Sequence, residues 1–272
     1  MIKNEQVEIE ILLEAIYRKY GYDFRNYAKA SLHRRINVLL KSHDLQHVSD
    51  LIPKIFQDDD FIHDILQAFS ITVTEMFRDP EVYLSMRENV IPYLRTYPYL
   101  KVWHAGCATG EEVYSSAILL KEENLYDKST IYATDFNLKA LKSAKEGIFN
   151  VKNMKKYSEN YYLAGGKKSL SEYYHSSYNA VIMDSKLKEN IVFAHHNLSS
   201  DNVFSETHLI MCRNVMIYFN QELQNRVLQL FTESLKTNGF LIIGNRESID
   251  FSSVEKDYIV VDKKNRIFQK KK

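Results

Sequence analysis

Only two cysteines, Cys107 and Cys212, occur in the 272 residues. A disulfide framework is therefore excluded, and no metal-ligand spacing accompanies the pair. Both lie at the ends of apolar runs, the setting of reduced core thiols in a cytoplasmic protein. Prolines number four and glycines eight, with no low-complexity stretch, which argues for order throughout. No apolar run approaches the roughly 20 residues of a membrane helix. The acidic opening, Met1 to Glu10, has no apolar core of the kind a secretory signal carries. The net charge is +1, so no global field favours nucleic acid or a membrane surface. The length suits one large domain or two modest ones.

The stretch with most information is Val102-Trp103-His104-Ala105-Gly106-Cys107-Ala108-Thr109-Gly110-Glu111-Glu112. An apolar run from Tyr99 to Ala105 reads as a buried strand. Gly106 and Gly110 follow, and Glu111 to Lys121 carries a helical stripe of Val113, Ala117, Ile118 and Leu120. Strand, glycine turn and helix open a nucleotide-binding βαβ unit, the glycines permitting a sharp turn and close approach of a ligand. The spacing is not G-x-G-x-x-G, and two glutamates sit where a phosphate would arrive. Each would repel a phosphate by roughly 4 kcal/mol at 4 Å and an effective dielectric near 20. A ligand with hydroxyls or a cationic amine suits the turn better.

Around this centre, residues 1–70 read as helical. Ile9, Leu12, Leu13, Ile16, Tyr17 and Tyr20 share one helix face up to Gly21. A second helix is expected from about Arg25 to Lys41, with a basic outer face of Arg25, Lys29, His33, Arg34, Arg35 and Lys41. That face is either simply solvated or a dock for an acidic partner. A short segment near Ser49–Phe56 and a helix after Asp58-Asp59-Asp60 complete the unit. Residues 71–98 form a connector. Ile71 to Thr74 reads as extended, Asp79-Pro80 as a capped helix start, and Pro92 as following that helix. In the sheet-forming part, residues 99–272, further strands are expected at Thr130–Thr134, Ile191–Ala194, Leu209–Cys212 and Phe240–Ile243. Helices are expected from about Asn137 to Glu146 and from Gln221 to Lys236, the latter capped by Asn238-Gly239, and a hairpin ends the chain. Residues at about 150–187, tyrosine-rich with Gly165-Gly166 between two short runs, read as an inserted antiparallel subdomain with a glycine turn, or as a long loop. The result is an α/β chain with an open, mostly parallel sheet. Ligands in such sheets bind outside the carboxyl ends of the strands, which here carry Gly106, Glu111, Asp135, Asn197, Arg213 and Asn214.

Taken together, Ile71-Thr72-Val73-Thr74-Glu75-Met76-Phe77-Arg78-Asp79-Pro80, Ala108-Thr109-Gly110-Glu111-Glu112, Ala133-Thr134-Asp135, Asn197-Leu198 and Cys212-Arg213-Asn214-Val215-Met216-Ile217-Tyr218-Phe219 resemble the CheR-type chemotaxis receptor methyltransferases over nearly the whole chain. The resemblance implies a Rossmann-like class I fold that uses S-adenosyl-L-methionine (SAM), with a small all-helical N-terminal domain and an inserted β-subdomain. It implies methyl ester formation on glutamate side chains of chemoreceptors, with S-adenosylhomocysteine (SAH) as product. Carried over by position, Thr72, Thr74 and Arg78 would contact the cofactor from the connector. Gly106 would let it approach, Glu111 would lie near its methionine end or its amine, Asp135 would hold its ribose, and Asn197 and Leu198 its adenine. Arg213 and Asn214 would line the far wall, and Tyr218 would sit by the transferred methyl. Thr72 stands where the family often has asparagine, and Gly244-Asn245-Arg246-Glu247-Ser248 also departs from the usual pattern.

This chemistry needs no triad or metal. A glutamate, which ordinarily titrates near pH ~4.3, is already an anion at neutral pH. Alignment alone can supply roughly 7–11 kcal/mol. Arg78 is the candidate for orienting a carboxylate, the acceptor's or the cofactor's own, and Tyr218 for shaping the methyl pocket. Receptor docking falls to Arg25, Lys29, Arg34, Arg35 and Lys41, since methylated receptor helices are glutamate-rich. A monomer is expected, with no nucleic acid and no membrane insertion. The alternative from another class is a non-catalytic module that holds SAM or SAH as a signalling adaptor. A small-molecule acceptor fits the basic helix and the insert less well.

Overall fold

The structure, a computed structural model, describes residues 4–70 and 74–271. Residues 71–73, read above as extended, lie outside the described residues, and with them the candidate Thr72. Helix α1 (Asn4–Tyr20) turns Ile9, Leu12, Leu13 and Ile16 inward, as its spacing requires. Gly21, at φ +78°, ends it in the left-handed region. Helix α2 (Lys29–Ser42) begins later than expected. Arg25 lies in the preceding loop, where Asp23 holds its guanidinium at 2.8 Å and Glu14 at 3.0 Å. Paired in this way, Arg25 drops out of the basic face. Lys29, Arg34 and Lys41 remain exposed on α2 with no acidic partner among the described residues, whereas Arg35 is half-buried and its Nε is unpartnered. Helices α3 (Leu51–Gln57) and α4 (Phe61–Phe69) complete the unit. Their apolar faces merge with Trp103, Ile210, Phe231 and Leu241 in one core on one side of the central sheet.

Asp79 heads α5 (Pro80–Ser85) in a left-handed conformation, φ +52°, but its side chain caps nothing, because Arg213 holds the carboxylate. Pro92 does not follow this helix. A π-turn at Met86–Val90 joins α5 to α6 (Ile91–Leu94), and Pro92 lies inside α6. The wider turn, in which Ile91 N–H reaches Met86 O, resets the hydrogen-bond register just before the residue that has no N–H to give.

The main sheet then builds up in chain order. Strand β1 (Leu100–Ala105) leads to α7 (Glu111–Glu122), β2 (Ser129–Asp135) and α8 (Leu138–Glu146). Asn137 caps α8 by accepting from Lys139 and Ala140 N–H, and Gly147 at φ +62° closes it. The insert holds β3 (Ile148–Asn150), α9 (Met154–Leu163), β4 (Tyr174–Ser177) and β5 (Ala180–Met183), with the strands in the order β3-β5-β4, all antiparallel. A helix therefore accompanies the expected strands. Gly165-Gly166 is not the hairpin turn but follows α9. The β4–β5 turn is Tyr178-Asn179, with Tyr178 at φ +50°. Strands β6 (Ile191–His195) and β7 (Thr207–Cys212), α10 (Gln221–Ser234), β8 (Leu235–Ile243), β9 (Tyr258–Asp262) and β10 (Ile267–Lys270) follow. Helix α10 stops before the expected Asn238-Gly239 cap. That pair lies inside β8, where pairing with β7 slips register between Thr207 and Leu209 and Asn238 adopts φ +63°.

The sheet order is β6-β2-β1-β7-β8-β10-β9. The first five strands are parallel and the last two antiparallel. The order in which strands are added reverses between β1 and β7, which run parallel, and a crevice opens there at the strand carboxyl ends. No helix among the described residues is long and apolar enough to cross a membrane.

Candidate active site

The carboxyl ends of four strands, β6, β2, β1 and β7, line the crevice at the switch point. After β1 the chain turns through Gly106 (φ +75°), Ala108 (φ +50°) and Gly110 (φ +92°). A Cβ on Gly106 would stand 2.6 Å from Val215 Cγ2, so only glycine lets this turn close against the loop after β7. Asp135, at the end of β2, braces the turn. Its Oδ2 accepts from Ala108 N–H and its Oδ1 from Asn137 N–H, both at 2.9 Å. Burial raises its pKa, against these hydrogen bonds, which favour the anion. After β6, Asn197 shapes its own loop, its Oδ1 accepting from the backbone N–H and hydroxyl of Ser199, with Leu198 buried beside it.

The loop after β7 is held from beneath by Glu247. Its carboxylate accepts from Asn214 N–H at 3.1 Å, Ile217 N–H at 3.2 Å and Gly244 N–H. Burial raises the pKa of this carboxyl too. Glu247 lies in the 244–248 stretch singled out above, and here it fixes the segment leading to Tyr218. Asn214, at φ +61°, presents a buried Oδ1 that has no partner among the described residues.

Three connected spaces result. An inner cavity, about 620 Å³ including its mouth, is lined by Asp135, Phe136, His196, Asn197, Leu198 and Tyr218, and by Tyr27 and Phe69 from the helical unit. A second space shares Gly106, Ala108, Asn214 and Val215 with it and adds Thr74, Arg78, His104, Glu112 and Arg213. An outer cleft shares Thr74 and Arg78 with the second space and Tyr218 with the inner cavity, and adds Glu75, Asp79, Lys156 and Asn160.

Of the candidates, Thr74, Arg78, Gly106, Asp135, Asn197, Leu198, Arg213, Asn214 and Tyr218 line these spaces. Glu111 does not. Its neighbour Glu112 takes the wall position, and Glu111 is buried with Thr109 donating to its Oε2 at 2.6 Å. Burial pushes the Glu111 carboxyl up to about 7. Arg213 reaches the wall, but its charge is already engaged. It pairs with Asp79 at 2.6 Å and Glu112 at 2.7 Å, and donates to Arg78 O at 3.1 Å. Burial would depress Arg213, but Glu112, Tyr83 and Asp79 outweigh it and raise its pKa. For Glu112, Arg213 and His104 outweigh the burial that would raise it, and its pKa falls.

Arg78 differs from Arg213. Its guanidinium has no partner among the described residues and faces both the second space and the outer cleft. The Tyr218 hydroxyl likewise has no partner among them. His104, whose Nδ1 is 3.6 Å from Glu112 Oε1, has both ring nitrogens buried and without a hydrogen-bond partner among the described residues. Unsatisfied polar atoms in a concave site mark where a ligand's own groups complete the bonding. The wall therefore suits one ligand that brings hydroxyls toward Asp135 and polar groups toward Asn214 and His104. Sequence reasoning missed Glu112, His104, His196, Phe136, Tyr27 and Glu247. Glu112, Phe136 and His196 carried a signal as neighbours of selected residues, and Glu247 lay in the 244–248 stretch already singled out.

Comparison with known proteins agrees with this geometry. The family model described as the CheR methyltransferase SAM-binding domain matches residues 72–266, and that of the CheR methyltransferase all-alpha domain matches residues 8–70. The Cher3 protein of Pseudomonas putida, named as a methyltransferase, is 51% identical over 268 residues, covering 98% of each chain. Chemotaxis protein methyltransferases of Borreliella burgdorferi and Listeria monocytogenes are each 27% identical. The first covers 89% of this chain and 88% of its own length, the second 92% and 93%.

Proposed function

The chain belongs to the CheR methyltransferase family, and from that premise we propose that it transfers the methyl group of SAM to glutamate side-chain carboxylates of chemoreceptors in the cytoplasm. The observation that carries the reading is the junction where Arg78 and Tyr218, without side-chain hydrogen bonds among the described residues, stand between the inner cavity and the outer cleft. The residues present fit SAM. Asp135 suits the ribose hydroxyls, Asn197 and Leu198 the adenine, and Asn214 and Thr74 the methionine portion. Glu112, which lines the wall where Glu111 does not, suits the amine. When bound, the cofactor supplies a sulfonium-activated methyl group.

The acceptor carboxylate is ionised at neutral pH, so no residue has to remove a proton. The outer cleft brings that anion to Arg78, which offers two parallel N–H donors to a carboxylate. The pairing orients the nucleophile and stays exposed enough not to quench it. Tyr218 narrows the passage between cleft and cavity, and Glu247 fixes its loop, so acceptor and methyl meet in one direction only. The test is incubation with a chemoreceptor cytoplasmic fragment and methyl-labelled SAM. Base-labile label on glutamates is expected, with a rate lowered roughly 10²-fold in Arg78→Ala. Label that resists base, or none, overturns the reading.

Docking belongs to Lys29, Arg34 and Lys41, with Arg35 only partly available and Arg25 neutralised. The double variant Lys29→Glu, Arg34→Glu is expected to slow receptor methylation by about an order of magnitude at low salt, with the SAH dissociation constant unchanged. Equal loss in both measurements removes the docking role.

A further inference from the structure

The mechanism above does not use the helical unit's share of the cofactor cavity. Residues 26–28 lie across the segment that carries Tyr218. Tyr27 bridges Phe219 in antiparallel fashion. Ala28 N–H donates to Tyr218 O at 2.8 Å and Asn220 N–H to Asn26 O at 2.9 Å. The Asn220 side chain adds a bond to Asn26 Oδ1 at 3.1 Å. These contacts fix Tyr27 at the cavity wall, where its ring meets Phe24 and Phe219 with centroids 5.2 and 5.1 Å apart.

Tyr27 is only 9% exposed, yet its hydroxyl has no hydrogen-bond partner among the described residues. The hydroxyl oxygen is not among the fully buried atoms that lack a partner, so it opens onto the space beside it, and a tyrosine hydroxyl in a largely apolar wall ordinarily finds a partner there. The surface it faces is the cavity, whose wall also holds Asp135, Asn197 and Leu198. Burial, with Asp135 and then Asp23 adding to it, raises the phenol well above its ordinary range, so it stays a neutral donor. Both Asp135 carboxylate oxygens already accept backbone N–H bonds, so Asp135 presents acceptors to the cavity. A polyhydroxyl ligand between the two would find an acceptor on one side and a donor on the other.

We propose that Tyr27, supplied by the helical unit, is a cofactor-contacting residue that donates its hydroxyl hydrogen to the nucleoside end of SAM, facing Asp135. The inference rests on the cofactor and not on the identity of the acceptor. The helical unit then carries part of the cofactor site.

The test is calorimetric titration of the full chain and of Tyr27→Phe with SAH and with adenosine. Phenylalanine keeps the ring packing and removes only the donor. The expected result is weaker binding of both ligands by roughly three- to tenfold, the worth of one neutral hydrogen bond. The unliganded variant should unfold at the same temperature as the parent, and the KM for SAM should rise while kcat is kept. Unchanged affinity for SAH overturns the proposal and leaves the cofactor assignment standing. Loss for SAH but not for adenosine places the contact elsewhere and also overturns it. A fall in kcat with KM unmoved does the same, since Tyr27 would then act only through Tyr218. Failure of the parent protein to bind SAH strikes the cofactor assignment itself, and the proposal with it.

Discussion

Arg213→Ala is expected to destabilise the fold by about 3–5 kcal/mol, the range for removing one partner of a buried ion pair. The Arg213 side chain is fully buried, and its guanidinium joins three elements. It holds Asp79 at the head of α5, Glu112 on α7 and the backbone of Arg78 in the connector. With alanine there, the carboxylate of Glu112, only 14% exposed, has lost its counter-ion. Its pKa, held down in the parent chiefly by Arg213, should then rise with burial. The sign of the pH dependence follows. In the parent, the depressed Glu112 stabilises the fold above its unfolded pKa, and that contribution is lost as the solution is acidified. In the variant, a raised Glu112 costs stability as pH increases. The gap between the two proteins should therefore narrow toward acid. Urea unfolding of both at neutral and mildly acidic pH reads this directly. Adding Glu112→Gln to the variant should restore part of the loss, because the stranded charge is gone. A neutral-pH difference below about 1 kcal/mol would show that the network contributes no more than a surface pair.

Glu111→Gln is expected to act in the opposite direction. Burial raises the Glu111 carboxyl from its ordinary value of 4.5 to about 7. Between those values the unfolded chain releases the proton while the folded one keeps it, so stability falls as pH rises through the window and levels off above it. The shift corresponds to on the order of 3 kcal/mol at 1.36 kcal/mol per unit. Glutamine has nearly the same shape as the protonated acid and cannot ionise. The variant should match the parent near pH 4.5 and exceed it progressively toward pH 8, by up to about 3 kcal/mol. Paired thermal scans across this range measure it, and titrations elsewhere in the molecule cancel in the difference. A gap that does not grow with pH would mean that Glu111 is ionised in the fold at its ordinary pKa.

Local pattern made the frame of the fold legible. The run into Ala105, the Gly106–Gly110 turn and the apolar stripe of α7 each follow from a few consecutive residues, and the strand ends that carry Asp135, Asn197 and Asn214 follow from them. Errors occurred where a partner outside the local periodicity decides the outcome. Asn238-Gly239 has the composition of a helix cap, but pairing of Leu235 with Thr207 draws those residues into β8. Gly165-Gly166 has the composition of a turn, yet it follows α9, whose existence the polar, tyrosine-rich composition concealed. Arg25 counts as a free cation until Asp23 and Glu14 are seen around it. Glu111 and Glu112 are adjacent in sequence but roughly 100° apart around a helix of 3.6 residues per turn. Sequence alone gives no ground for choosing which of them faces the ligand. Tyr27 belongs to no motif, and only the bridge to Phe219 brings it to the cavity.

That bridge also constrains how the protein comes into being. The bond between Asn26 and Asn220 spans 194 residues of sequence, so the helices are synthesised long before the strand-end loop they must meet. Contacts of such separation form late and slow the search for the native state. During synthesis the cofactor cavity lacks one wall until most of the chain has emerged, while the α1–α4 helices can already begin to gather their own apolar faces. Cofactor binding should thus report on completed folding, and a nascent or truncated chain that lacks the β7–α10 loop should hold no SAM, however well its βαβ unit has formed.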